Sequence, residues 1–316
     1  MLPAWGIHLR QFEFAISDDL RQSAIDVHGA EGKSWLDSLP DVVAECARHW
    51  SLQLGPAFPN LSYNYAAPAV RADGAAVVLK ACYPDREFQS EAEALVAFAG
   101  QGVAQLLALD SDLGVLLLER LLPGTPLTVV GDDWQAMTIA ARLMRQIWRP
   151  APEGYVFPSV ADWVAGMAER APRFVQPVGP FPGEWLDRAL ATFAELNASP
   201  IEPVLLHGDL HQGNILSAER APWLAIDPKG IVGEPACETE PLLRNALPRR
   251  LDTAATRRIL ERRVDCLADE LSIDRKRILA WGVVRAVLSA FWSLEDHGHG
   301  WERALNLARL LTNLTH

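Results

Sequence analysis

The chain has 316 residues, of which 49% are hydrophobic and 22% charged. That balance describes a folded protein of one large domain or two lobes and excludes a disordered one. A net charge of −11 at pH 7 argues against a nucleic-acid partner, which would require a positive surface to displace counterions; an acidic surface would attract a cationic ligand, and its plainer reading is solubility.

Four widely spaced cysteines, Cys46, Cys82, Cys237 and Cys266, form no Cys-x-x-Cys pair. This fits buried thiols in a reducing compartment better than disulfides or a zinc site. The opening MLPAWGIHLR has no basic head before a long apolar run and does not read as a signal peptide. Apolar runs such as 115–118 are too short to span a bilayer. The expectation is a cytoplasmic protein with no membrane contact.

In chain order, residues 1–33 show no clear periodicity and read as an N-terminal extension. From Trp35 the spacing of Leu36, Leu39, Val43 and Ala47 predicts a helix, with Pro40 near its start. Strand signals over 60–70 lead through Arg71-Ala72-Asp73-Gly74 to the apolar run 75–81, and the Asp-Gly pair predicts a hairpin. A helix over 87–100 ends at its glycine, and a buried strand over 114–122 stops at Pro123-Gly124. Helical spacing then dominates at 134–148, 163–170, 184–197, 249–271, 274–294 and 301–314. The exception is 203–227, where three short apolar runs (204–206, 215–216 and 223–226) are bounded by polar or turn residues. The expected architecture is α+β: a small β-rich N-lobe over 34–122 and a larger helical C-lobe over 123–316.

The most informative segment reads His207-Gly208-Asp209-Leu210-His211-Gln212-Gly213-Asn214-Ile215-Leu216, followed by Ile226-Asp227-Pro228-Lys229-Gly230. Phosphoryl transfer needs hard oxygen ligands for one or two Mg²⁺ ions. It also needs a carboxylate to accept or orient the proton of the attacking hydroxyl. Asp209 is the candidate base, Asn214 a metal ligand through its amide oxygen, and Asp227 the principal metal ligand. The spacing is that of the catalytic and metal loops of protein kinases, with His-Gly-Asp in place of His-Arg-Asp. His207 reads as a structural residue of this loop, His211 has no assigned task, and His297 and His299 read as an exposed loop.

A cation for the nucleotide phosphates is also required, and Lys80, in the strand that closes the hairpin, is the candidate. Its glutamate partner is expected on the next helix. Glu91 lies four residues before Leu95 on the apolar face, while Glu93 points to roughly the opposite side, so Glu91 is chosen. The segment 116–124 has the form of a hinge whose backbone around Glu119, Arg120 and Leu121 would bind an adenine. No Gly-x-Gly-x-x-Gly precedes Lys80, which leaves Ser62 and Asn64 as candidate donors over the phosphates. The intact set Lys80, Asp209, Asn214 and Asp227 argues against a catalytically dead binding module.

These motifs, in this order over 55–240, resemble the aminoglycoside phosphotransferase family. Leu-His-Gly-Asp-Leu-His-x-Gly-Asn-Ile-Leu with Trp-Leu-Ala-Ile-Asp-Pro-Lys-Gly-x-Val-Gly-Glu-Pro is most similar to its streptomycin 6-kinase and hydroxyurea-kinase branch. The resemblance implies a bilobal protein-kinase-like fold and the use of ATP with Mg²⁺. It further implies transfer to a hydroxyl of a small molecule, streptomycin or a related aminoglycoside, the alternative being a housekeeping kinase for a sugar, amino alcohol or other metabolite. Asp162, Glu238, Glu295 and Asp296 could face a guanidinium-bearing acceptor. Each alone reads as a solvated helix-surface charge, and Glu238 also as a helix cap.

Overall fold

The computed structural model describes residues 14–59, 61–155, 157–248 and 254–314. Residues 1–13 of the expected extension, Asn60, and Arg249 with the residues that follow it at the start of an expected helix lie outside them. The chain divides into two compact units, Met1–Pro84 with Leu107–Arg120, and Asp85–Leu106 with Leu121–His316.

The first unit opens with a long helix, α1 (Asp18–His49), capped by the Ser17 side chain, with acidic residues in its first turn and basic ones in its last. Both charge placements favour the helix dipole. The helix therefore begins well before Trp35, and the extension expected over 1–33 is corrected from Asp18 onward. Gly29 takes non-helical angles (φ 59°, ψ −128°) and kinks the helix there, a break that hides its periodicity in the sequence. The strands β1 (Leu52–Leu54), β2 (Tyr65–Arg71), β3 (Ala76–Ala81), β4 (Leu106–Asp110) and β5 (Val115–Glu119) form one sheet in the order β1-β2-β3-β5-β4. The expected hairpin joins β2 to β3 with Val70 opposite Ala76, and Gly74 takes φ +84° in the turn. Alternate residues Tyr65, Ala67, Leu79, Ala81 and Val115 pack against Leu36, Leu39 and Val43 of α1. Each large side chain fully buried in this way contributes about 1.5–3 kcal/mol.

The second unit begins with α2 (Arg86–Phe98), capped by Asp85. Residues 85–106, expected in the N-lobe, cluster here instead. The reason is local: Ser90 Oγ donates to Gly230 O at 2.8 Å, tying α2 to the segment that carries Asp227. Short strands follow: β6 (Pro123–Pro126), β7 (Val204–Leu206), β8 (Ile215–Ala218), β9 (Trp223–Ala225) and β10 (Ile231–Gly233). They pair as β6-β8-β9 and β10-β7. The helices are α3 (Asp133–Ile147), α4 (Val160–Arg170), α5 (Gly183–Ala198), α6 (Glu240–Arg244), α7 (Ala254–Leu271), α8 (Arg275–His297) and α9 (Trp301–Asn313). Helix α8 packs against α5 and α9, and α3 against α7. By length and composition α8 could cross a bilayer, but 72% of its most apolar window is buried, and it is a core helix of this unit. All four cysteines are free and buried.

Candidate active site

Two short ladders build the site within the second unit. The chain runs β7, the 207–214 loop, β8, a tight turn, β9, the 226–230 loop, and β10. Pairing of Leu206 with Ile231 brings the start of one loop beside the end of the other. Lys229 N–H and Gly230 N–H both donate to His207 O, at 2.7 and 3.3 Å. Pairing of Ile215 with Ala225 closes the other side, where Ile226 N–H donates to Asn214 O at 2.9 Å. Asp209, Asn214 and Asp227 are thus gathered by backbone register.

His207 is fully buried. Its Nε2 lies 2.8 Å from Ile226 O, and its Nδ1 accepts Asp209 N–H at 3.3 Å. This pattern assigns the proton to Nε2, and burial pushes the imidazole down to about 4. The ring is a neutral strut between the loops. Gly208 takes φ +90°, and a Cβ there would meet Lys229 Cβ and Ile231 Cγ2 at 2.9 Å, so only glycine suits the position.

Beneath the loop lies a carboxylate that spacing arguments misplace. Glu238, 1% exposed, accepts His207 N–H at 2.6 Å and Gly208 N–H at 2.9 Å, one on each oxygen. It is neither a surface charge nor a helix cap. Burial pushes its carboxyl up to about 7 against the opposing pull of Gly208 N–H, Arg285 and His207 N–H. Arg285, also buried, donates to Gly208 O at 2.8 Å and lies 4.8 Å over the Trp163 ring, a cation–π arrangement. Glu238 therefore holds the N–H groups, and Arg285 the carbonyl, of the successive peptide units that lead into Asp209. The available hint was composition: Glu238 stands among Pro235, Ala236, Cys237, Pro241, Leu242 and Leu243, where a carboxylate is buried and must be partnered.

Asp209 is half-buried. Its Oδ1 lies 3.3 Å from Arg244 Nη2 and its Oδ2 3.9 Å from His211 Nε2. Burial pushes this carboxyl up, but His211, Arg244 and Lys229 outweigh it and hold the group below its ordinary value. Asn214 Nδ2 donates to Asp209 O at 3.1 Å, which leaves the amide oxygen as the acceptor end. Asp227 is exposed and takes φ +59°, a conformation that aspartate tolerates better than most residues. Lys229 Nζ donates to Glu87 Oε2 of α2 at 2.6 Å.

Lys80 is 4% exposed and stands opposite Leu116 and Ala66 in its sheet. Glu119 ends β5 opposite Val77, Arg120 follows it half-buried, and all three belong to the first unit. Glu91 is 7% exposed on the packed face of α2, while Glu93 is half-buried; Glu91 and Leu121, which is 7% exposed, belong to the second unit. Ser62 is exposed and Asn64 half-buried ahead of β2. Of the acidic residues proposed to face an acceptor, Asp162 forms the capping box of α4 with Ser159, and Glu295 pairs with Arg170 at 2.5 Å. Asp296 is half-buried, and burial pushes its carboxyl up. The His297 and His299 rings are 6.0 Å apart.

The structure matches choline kinase LicA from Streptococcus pneumoniae with a TM-score of 0.63 at 11% identity, covering 87% of this chain and 99% of that one. At that identity the likeness defines the fold, which is the α+β protein-kinase-like fold. The profile of the aminoglycoside/hydroxyurea antibiotic resistance kinases matches residues 61–297. Streptomycin 6-kinase of Streptomyces griseus is 34% identical over 283 residues, 89% of this chain and 91% of the relative. Hydroxyurea phosphotransferase of Kitasatospora aureofaciens is 38% identical over 276 residues, 85% and 77% respectively. A protein-kinase-like phosphotransferase is the class that the fold and these relatives define. Within it, the chain belongs to the aminoglycoside/hydroxyurea antibiotic resistance kinase family.

Proposed function

We propose that this kinase transfers the γ-phosphoryl group of ATP, with Mg²⁺, to a hydroxyl of streptomycin or a related aminoglycoside in the cytoplasm. The observation that carries the reading is the register-locked trio of an ionised Asp209, Asn214 and Asp227 on two interlocked loops. Asp209 is the base, and Asn214 and Asp227 hold the metal. The donor set fits Mg²⁺: both ligands are oxygens, and the Asn214 amide is oriented by its hydrogen bond to Asp209 O. Among the described residues no group of three or more His, Cys, Asp or Glu side chains forms a metal site. Mg²⁺ is ordinarily carried by one or two protein ligands plus nucleotide phosphates. Lys80 serves the α- and β-phosphates with Glu91 as its carboxylate partner, and the backbone at Glu119, Arg120 and Leu121 serves the adenine. The acceptor is assigned from the relatives named streptomycin 6-kinase and from the acidic charge of the chain.

The 38% identical hydroxyurea phosphotransferase favours hydroxyurea as a second acceptor to test. An ADP-release assay with ATP and Mg²⁺ against streptomycin, other aminoglycosides, hydroxyurea, sugars and amino alcohols decides between them. Streptomycin-dependent release with a low KM is expected, and turnover confined to another compound would replace the acceptor. Asp227→Ala is expected to weaken Mg²⁺-dependent ADP binding by more than the roughly 10- to 100-fold that loss of an outer-shell partner costs. Titration calorimetry with and without Mg²⁺ checks this, and unchanged affinity would reject Asp227 as a ligand.

A further inference from the structure

The 207–216 loop contains no lysine or arginine, yet a guanidinium reaches its aspartate from 35 residues away. Arg244, the last residue of α6, donates through Nη2 towards Asp209 Oδ1 at 3.3 Å and through Nε to Glu240 Oε1 at 3.0 Å. Glu240 is fully buried, so its carboxylate is a fixed anchor, and the pair spans one helical turn (i, i+4). A planar guanidinium that bridges two carboxylates fixes both in direction as well as distance.

We propose that Arg244 is a positioning residue for phosphotransfer: anchored on Glu240, it holds Asp209 Oδ1 and thereby aims Oδ2 at the acceptor hydroxyl. The inference rests on Asp209 being the base. In the reaction the acceptor O–H bond breaks and its proton passes to Asp209 Oδ2. The freed electron pair forms the new O–P bond, and the bond from the γ-phosphorus to the β–γ bridging oxygen breaks, releasing ADP. With Oδ1 engaged by Arg244 and His211 Nε2 at 3.9 Å from Oδ2, beyond a good hydrogen bond, Oδ2 is the oxygen left to face the substrate.

Removing Arg244 alone would leave Glu240 buried without its cation and could unfold the protein, so two variants are needed. Arg244→Lys keeps the charge but cannot bridge both carboxylates, and the Arg244→Gln/Glu240→Gln double variant removes both charges together. The measurements are kcat, KM for each substrate, ADP affinity and Tm, each also taken in an Asp209→Asn background. Loss of aim is expected to lower kcat by about 100-fold, with KM and ADP affinity within about threefold of wild type. Because Arg244 acts through Asp209, the same substitutions are expected to cost less than about twofold once Asp209 is asparagine. An unchanged kcat beside an active wild-type enzyme, or an equal loss in both backgrounds, would overturn the role of Arg244 alone. Equal activity of the Asp209→Asn and wild-type enzymes would instead remove the reading of the base, and this inference with it.

Discussion

Asp209→Asn is expected to lower kcat by about 10²- to 10⁴-fold, the contribution of a positioned general base, while ADP binding stays near that of wild type. The substitution preserves shape and removes only the ability to take a proton. The neighbours make the wild-type carboxylate suited to that task. Burial alone would push it towards the neutral acid, but the pull of His211, Arg244 and Lys229 outweighs burial and holds the group below its ordinary value. The linkage sign follows: the depressed value stabilises the fold above the ordinary carboxylate range, and that contribution is lost as pH falls through the lower folded value. Steady-state kinetics with the acceptor found by ADP release, paired with calorimetric ADP titration, check the expectation. Near-normal turnover in Asp209→Asn would place the base elsewhere.

The difference between what the sequence showed and what it hid follows the range of the interactions. Local chemistry was readable. Asp73-Gly74 marked the β2–β3 turn, period-3.6 spacing marked α2, α3 and α8, and the face argument separated buried Glu91 from half-buried Glu93. The two loops were readable because Asp209, Asn214 and Asp227 lie close in sequence on either side of a hairpin. The short strands β1 and β10, unlike β7 and β9, are not runs of apolar residues bounded by polar ones and did not stand out, and the break at Gly29 concealed the first half of α1. The residues that tension the site were hidden for a different reason. Glu238, Arg244 and Arg285 reach the loop from 30, 35 and 77 residues away, and no local periodicity encodes a contact of that separation.

Glu238→Gln is expected to damage stability and turnover together, and pH separates its two effects. The carboxylate accepts one backbone N–H on each oxygen. An amide offers one acceptor and points N–H groups at the second donor, so a buried donor is orphaned at a cost of about 1–3 kcal/mol. Glu238 holds the backbone of His207 and Gly208, and Asp209 is the next residue. With Asp209 as the proposed base, a shift of its carboxylate by about 1 Å is enough to cost roughly 100-fold in rate. The Tm difference between wild type and variant is also expected to change with pH in a defined sense. Burial raises Glu238 from its ordinary 4.5 to about 7, so the folded state binds the proton more tightly than the unfolded one. The stability this confers is fully present below about 4.5 and is lost as pH rises through about 7. Glutamine has no such proton, so the variant's deficit should be largest in acid and shrink towards pH 8, where the orphaned donor alone remains. Thermal melts of both proteins between pH 4 and 8 test this directly. A deficit that is flat with pH would mean that Glu238 is ionised throughout and held by its two N–H donors and Arg285. A deficit near zero, with unchanged kcat, would mean that the loop keeps its shape without this carboxylate.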